Sequence, residues 1–580
     1  MERHDAIGTA AMSEAIGAPP EALSPSHAAP SRAADMTTGW RLLLLIALVL
    51  ASLLPGFFSI PVVDRDETRY AQASRQMVES GDYVVPRLGE ANRFKKPIGI
   101  YWLQVAAVKL TGHGADAPIW VFRLPSLAAA LLAVLLTFAI GRRLFDERTA
   151  FYAAALLGTC LVLAVEGRLA KTDAAQLAAA VAGQLALARF YLASAQERLR
   201  LGWVLLFWGA MAAAILIKGP IVPMLAALTA VTLALWDRRA AWLKRLRPAI
   251  GLPFLLLLVL PWLIAIAVQA GPAFFHESVS VDLLSKVAKG QEFHGAPPGA
   301  HFAAFWVAFW PGAALVAIAV PWVWANRTSP AVRFCVAWLV PFWIVFELIA
   351  TKLPHYTLPA YPALALLAAG GLTTPRAGRD PLWARLLVAV AAIGGGLTAI
   401  AGPVLLYLLE QRLPLLPLAV AALVVLMAGY AVRQAFVSGV AAAVRVLLVE
   451  APALYLLLFG LVAPQANRLW IAPRLEAAIA RVACPGPQVM VAGFSEPSVM
   501  FVLGQDAQTG DGVKAADFLA QPGCRVVVVA DHQQQLFDIR NQVLGRSPTV
   551  ATTTNGINSA NSRRLSFNVY VSPEQKGSQP

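Results

Sequence analysis

Residues 64 to 69, Asp-Arg-Asp-Glu-Thr-Arg, place five charges within six positions, directly behind a long apolar run. Further along, polar groups recur in short clusters: Phe94-Lys95-Lys96-Pro97, Glu166-Gly167-Arg168 with Lys171-Thr172-Asp173, Lys218-Gly219-Pro220, Lys289 to His294, and Thr351-Lys352-Leu353-Pro354-His355-Tyr356. They offer carboxylates at Asp64, Asp66, Glu67 and Asp173. They also offer cations at Arg69, Lys96, Lys171, Lys218, Lys286, Lys289 and Lys352, and the rings of His294, His355 and Tyr356. Carboxylate beside clustered cation suits transfer chemistry on an anionic substrate. Lys and Arg bind a phosphate and lower its charge as a leaving group. A carboxylate across a sugar ring serves as base for an attacking hydroxyl. Where the acceptor is itself a phosphate, no strong base is needed, and the carboxylate orients the nucleophile or stabilises positive charge developing on the sugar. No P-loop or GxGxxG unit competes with this chemistry.

The elements that must position these groups are membrane helices. The 580-residue chain is 58% hydrophobic and only 14% charged, far from the composition of a soluble protein. Apolar runs of about 17 to 25 residues recur, each long enough to cross a bilayer as helix. They do not alternate apolar and polar residues as barrel strands do. The pattern predicts about thirteen spans, near 40–60, 119–140, 149–165, 174–193, 202–217, 219–236, 249–269, 303–324, 334–350, 357–373, 384–408, 414–432 and 442–464. The net charge of +14 does not indicate nucleic acid. Much of it sits in short loops, such as those holding Arg142, Arg143 and Arg148, or Arg238, Arg239, Lys244, Arg245 and Arg247, which mark the cytoplasmic side.

By parity, every chemically varied loop falls on the opposite face. Any one of them alone is an ordinary polar surface loop; their convergence on one side points to function, because charge near membrane depth is costly. ATP and nucleotide sugars are largely cytoplasmic, so a transferase on that face needs a membrane-borne donor. Residues 1–38, rich in Ala, Pro and Ser, read as a disordered cytoplasmic tail. The first apolar region begins only at Trp40 and reads as an uncleaved helix. Segment 61–118 reads as amphipathic helices in the interface, around Tyr70 to Val78 and Ile98 to Val105, joined by a loop through Gly81 to Pro97. From about 465 the pattern alternates short strands (488–494, 524–530, 564–571) with helices, a small α/β domain on the same outer face. Cys160 and Cys335 sit in apolar runs as inert core residues. Cys484 and Cys524 are able to pair if the tail is outside the cytoplasm, a geometry that sequence leaves open. The membrane part shows no convincing internal repeat, and its polar residues gather at helix ends, both of which weaken a transporter reading.

The stretch from Asp64 to Leu103 resembles the first extracytoplasmic segment of the aminoarabinose transferase family. These are GT-C fold glycosyltransferases related to protein O-mannosyltransferases, which modify lipid A from undecaprenyl phosphate-linked sugar. The resemblance continues through Lys171-Thr172-Asp173, Lys218-Gly219, Glu292 to Gly299, Thr351 to Pro359, and in the tail Gly493 to Phe501 and Asn555 to Arg564. It implies an all-α polytopic membrane protein with a small C-terminal α/β domain, organised as tail 1–38, transmembrane catalytic domain 39–464 and periplasmic domain 465–580. Asp66 matches the family's main catalytic carboxylate and Asp173 a second one. Arg69, Lys96 and Tyr356 match groups that hold the polyprenyl phosphate, with Lys218 and Lys352 as further phosphate contacts. Glu67, His294 and Lys286 are candidate substrate contacts; Glu67 is equally suited to pairing locally with Arg69. The family often has an acid before its Lys-Pro pair, where this chain has Lys95, and in some relatives that acid helps hold a metal. No metal is therefore expected at that position, and no cofactor is required; dependence on a divalent metal is otherwise left open.

The resemblance thus implies an inner-membrane pentosyl- or hexosyltransferase. It takes a sugar from a polyprenyl-phosphate donor and passes it to lipid A or another envelope glycolipid at the periplasmic face, with the N-terminus cytoplasmic. A protein O-glycosyltransferase of the same fold is the alternative within the class, and a polyprenyl-phosphate or lipid transporter the alternative outside it.

Overall fold

The computed structural model describes residues 32–194, 196–284, 295–375, 378–482, 484–559 and 561–572. After α1 (Arg32–Leu53) the chain enters α2 (Asp66–Ser80), whose Tyr70, Ala73 and Met77 share one face. The helix stops at Gly81, which adopts φ 72° and returns its N–H to the Met77 carbonyl, a left-handed ending open to glycine without strain. Next comes a hairpin, β1 (Arg87–Leu88) and β2 (Ala91–Asn92), with Arg87 opposite Asn92. The sequence reading had only a loop here; two-residue strands leave no alternation to read. The hairpin turns the chain back into α3 (Gly99–Thr111). α2 and α3 meet through Ser74 Oγ donating to Gln104 Oε1 at 2.6 Å. Tyr70, Met77, Ile98, Tyr101 and Val105 form one core with Trp262 and Ile266.

Then follow α4 (Ile119–Leu144), α5 (Glu147–Thr159), α6 (Leu161–Glu166), α7 (Asp173–Leu192), α8 (Leu201–Lys218), α9 (Ile221–Trp236) and α10 (Pro248–Ala270). Gly219, at φ 80°, makes the tight turn between α8 and α9. Among the described residues eight helices are long and apolar enough to cross a membrane, or nine if the bent pair Ala300–Ala308 and Ala313–Ala325 is one span. The protein is thus a multi-pass membrane protein, with fewer full-length spans than the thirteen expected. The remaining apolar runs fold as shorter or broken helices. The 149–165 run breaks at Cys160, and the 303–324 run bends by 112°. The two breaks meet: Leu161 N–H donates to the Trp310 carbonyl at 3.1 Å. Broken backbone inside a bundle is tolerated where protein satisfies it.

The C-terminal sheet has the order β4-β3-β5-β7-β6, made from β3 (Gln488–Ala492), β4 (Gln508–Gly510), β5 (Arg525–Ala530), β6 (Thr552–Asn558) and β7 (Arg563–Val571). β3 lies parallel to β4 and β5; β7 runs antiparallel to β5 and β6. β3, β5 and β7 match the three strands read from sequence. β4 and β6 are edge strands without an apolar alternation. Val491, Val528 and Phe567 are buried in the core on one face, and Met490, Val527 and Phe537 on the other. Residues 44–580 form one compact unit.

Cys484 and Cys524 form a disulfide across 40 residues of chain, with Cα atoms 5.7 Å apart. Cys524→Ser is expected to cost the C-terminal region about 2–4 kcal/mol, seen as faster proteolysis of the tail in the purified protein; an unchanged proteolytic profile would contradict this.

Candidate active site

The turn from Val63 to Asp66 carries the first set of groups. Arg65, the residue before α2, has φ 67° and ψ −108°, a conformation that costs a non-glycine residue about 1–3 kcal/mol and persists only where its surroundings enforce it. Glu67 supplies much of that enforcement. Its carboxylate accepts from Val63 N–H at 2.8 Å, Ala170 N–H at 2.9 Å, and Arg123 Nε and Nη2 at 2.8 and 2.9 Å. Arg123 also donates to the carbonyls of Phe57, Ile60 and Pro61. Both side chains are about 1% exposed. Glu67, expected to contact substrate or pair locally with Arg69, takes its hydrogen bonds from Arg123, Val63 and Ala170 and so anchors the turn while still lining the cavity. Asp66, one residue earlier, is 49% exposed, and its carboxylate lies 3.7 Å from Arg69 Nη1.

A second cluster comes from the loop before α7, the end of α8 and the turn after residue 350. Lys171 Nζ lies 3.0 Å from Glu166 and 3.9 Å from Asp173. Lys218 Nζ lies 2.5 Å from Asp173. His355 Nδ1 is 3.4 Å from Glu166 and its Nε2 is 3.7 Å from Asp173. Burial pushes His355 down to about 3, outweighing Asp173 and helped by Lys171 and Lys218, so the ring is neutral at physiological pH. Burial opposes the charge on Lys171, but Glu166 and Asp173 outweigh it and keep the amine protonated. Burial likewise opposes ionisation of Asp66, yet Lys171, Arg93 and Arg69 together hold its carboxyl below the usual range. An ionised, half-exposed carboxylate held by cations suits a base or a stabiliser of positive charge.

The two clusters face one cavity of about 640 Å³. Its lining includes Asp66, Arg69, Lys96, Asp173, Lys218 and Tyr356 from the predicted set, with Lys95 and His355 beside them. Lys218 Nζ sits 5.4 Å from the centre of the Tyr356 ring. Val259, Trp262 and Leu263 of α10 and Phe274 and Phe275 beyond it supply an apolar wall. Seven cationic side chains (Arg65, Arg69, Arg93, Lys95, Lys96, Lys171 and Lys218) face four carboxylates (Asp64, Asp66, Glu67 and Asp173) in that lining.

Lys352 is not brought into the cavity lining; its ammonium donates to the Ile349 carbonyl. Neighbourhood in sequence to His355 and Tyr356 does not give side-chain direction. Lys286 and His294 lie outside the described residues. Three groups were missed from the predicted set. Arg93 donates to Tyr101 Oη at 3.1 Å and lies over the Tyr70 ring. Glu166 and Arg123 were legible as ionisable residues at or within apolar runs, a standing signal of function. Among the described residues Glu166, Asp173 and His355 form one group whose ligand atoms lie within 4.8 Å and have the chemistry to hold a metal. Lys171 and Lys218 already neutralise those carboxylates, so a divalent ion there would have to displace ammonium groups.

The family described as dolichyl-phosphate-mannose-protein mannosyltransferase matches residues 95–264. Among curated proteins, an undecaprenyl phosphate-alpha-4-amino-4-deoxy-L-arabinose arabinosyl transferase from Pseudomonas paraeruginosa is 32% identical over 324 residues, 54% of this chain and 56% of that protein. Its namesake from Erwinia tasmaniensis is 31% identical over 343 residues, 56% and 58% of the two chains. The matched region thus spans little more than half the length of these relatives. Among solved structures, ArnT from Cupriavidus metallidurans bound to undecaprenyl phosphate superposes with a TM-score of 0.71 at 20% identity, covering 93% of this chain and 100% of that one. The two chains therefore share one fold. Over the matched region the chain is similar to the aminoarabinose transferases, the family its motifs resemble.

Two outcomes test the electrostatics. Glu67→Ala, which strands Arg123, is expected to destabilise the protein by about 3–5 kcal/mol, read as a lower midpoint of thermal unfolding. Arg93→Gln removes a cation that lowers the Asp66 pKa, so the acid limb of a pH–rate profile should move to higher pH. A limb that stays in place would separate Arg93 from Asp66.

Proposed function

We propose that the protein is a lipid-linked-sugar-dependent glycosyltransferase. It moves a sugar from a polyprenyl-phosphate donor to lipid A or another envelope glycolipid at the periplasmic face of the bacterial inner membrane. The observation that carries this reading is the single cavity that joins Asp66 and Asp173 to Arg69, Lys96, Lys218 and Tyr356 under an apolar wall. Relatives named as arabinosyl transferases of undecaprenyl phosphate-linked sugar support it. In this reading the polyprenyl chain lies along α10, and Arg69, Lys96 and Tyr356 hold its phosphate by charge-assisted hydrogen bonds. Lys218 neutralises Asp173 and shares the phosphate's negative charge. Asp66, kept ionised, orients the acceptor and stabilises positive charge on the sugar as the bond to the donor phosphate breaks.

In this reading the shorter and broken helices cross beside the eight or nine full-length spans among the described residues, giving about thirteen crossings, a cytoplasmic N-terminus, a catalytic part over 39–464 and a periplasmic part from 465 onward. The Cys484–Cys524 disulfide supports that orientation, because such bonds persist in the periplasm and are rare in the cytoplasm.

Asp66→Asn should abolish transfer while the protein still inserts and binds undecaprenyl phosphate, as judged by mass spectrometry of envelope glycolipids from cells with and without the variant. Full modification by that variant would sink the assignment. Lys96→Ala should weaken undecaprenyl phosphate binding about tenfold or more by loss of one charge-assisted bond; unchanged binding would move the phosphate elsewhere.

A further inference from the structure

The tail motif Gly493 to Phe501 belongs to the C-terminal sheet region, yet it reaches the turn that carries Asp66. Ser498 N–H donates to Asp64 Oδ1 at 3.1 Å, two residues before Asp66. Three residues further on, the Phe501 carbonyl accepts from Arg75 Nη1 of α2 at 2.8 Å. The Arg75 guanidinium also lies 3.9 Å from the centre of the Phe501 ring, which meets Phe122 edge-on. Between these two points Met500 packs on Gly89 at the tip of the β1–β2 hairpin, where an added Cβ would come within 3.1 Å of its methyl group. Gln76 of α2 clamps the same glycine, accepting from its N–H at 3.0 Å and donating to its carbonyl at 3.2 Å. One short segment therefore touches the start of α2, its middle, and the hairpin that leads into Arg93 and Lys96.

We propose that the segment from Glu496 to Phe501 is a positioning element for the reaction. It acts through Asp64 and Arg75, which hold the strained Arg65 turn and so fix Asp66 against the cavity. The inference rests on the glycosyltransferase reading for what Asp66 does, but not for what holds it. The Arg65 conformation needs support on both sides. Glu67 and Arg123 supply it from the membrane helices, and Ser498 supplies it from the tail. Asp64 acts here through its accepting oxygen, which it keeps in either protonation state. Burial, with Glu496 nearby, pushes its carboxyl up to about 6, and the protonated form still accepts from Ser498 N–H through its carbonyl oxygen.

The test uses the full-length protein in detergent and in cells. In Asp64→Ala and in Arg75→Ala, amide hydrogen exchange over residues 63–70 should rise, while Asp64→Asn, which keeps the accepting oxygen, should match the native protein. Envelope sugar modification should fall roughly ten- to a hundredfold in both alanine variants, as misplacement by about 1 Å predicts, with undecaprenyl phosphate binding held within about twofold. Recovery of both readouts in Asp64→Asn supports positioning. Unchanged exchange in both alanine variants overturns it, as does an Asp64→Asn protein as impaired as Asp64→Ala. If Asp66→Asn keeps full transfer, the functional reading fails instead, and the exchange result still decides whether the tail holds the turn.

Discussion

The buried pair between Glu67 and Arg123 is the contact on which the site depends. Taking two charges out of water is expensive, and such a pair is stable only when every remaining hydrogen-bonding position is filled. Here each filled position is also a structural instruction. The three carbonyls bound by Arg123 belong to residues 57 to 61, and the two amides bound by Glu67 belong to Val63 and Ala170. The pair thus ties the exit of the first membrane helix to the loop that carries Lys171 and Asp173. It brings the two carboxylate-bearing segments to one cavity from positions more than a hundred residues apart.

That arrangement divides the carboxylates by environment. Glu67 and Asp173 are nearly inaccessible and matched to cations by direct contact. Asp66 is half exposed, with Arg69 at a longer distance and Lys171 and Arg93 adding to the positive surroundings. The first two are fixed by their ion pairs, and the third is the most exposed of the three. His355, neutral between Glu166 and Asp173, fills space between acids without adding a third positive charge beside the two lysines.

Much of this was legible in the chain. Charge at the end of an apolar run drew notice to the loops of Asp66, Arg69, Asp173 and Lys218, and the family resemblance added Lys96 and Tyr356; all six line one cavity. Arg123 escaped because it sits inside the run 119–140, read as a plain span, and nothing local names a partner 56 residues away. Lys352 shows the converse limit: its backbone is in the right loop, but its side chain turns to a carbonyl three residues back. The membrane helices were legible as apolar runs, while their breaks were not, since the backbone freed at Cys160 is satisfied by Trp310 far along the chain. In the tail the strands with buried valines could be read; β6, with threonines facing out at the sheet edge, could not.

The excess of cations over carboxylates around the cavity has a consequence for turnover. Under the proposed function, a sugar-linked polyprenyl phosphate would enter as a diester with one negative charge. It would leave as a monoester that carries about one more near neutral pH, its second pKa being about 6. The same fixed lysines and arginines would then hold the spent carrier more tightly than the incoming one. A wall that eases departure of the phosphate from the sugar would also slow its departure from the protein.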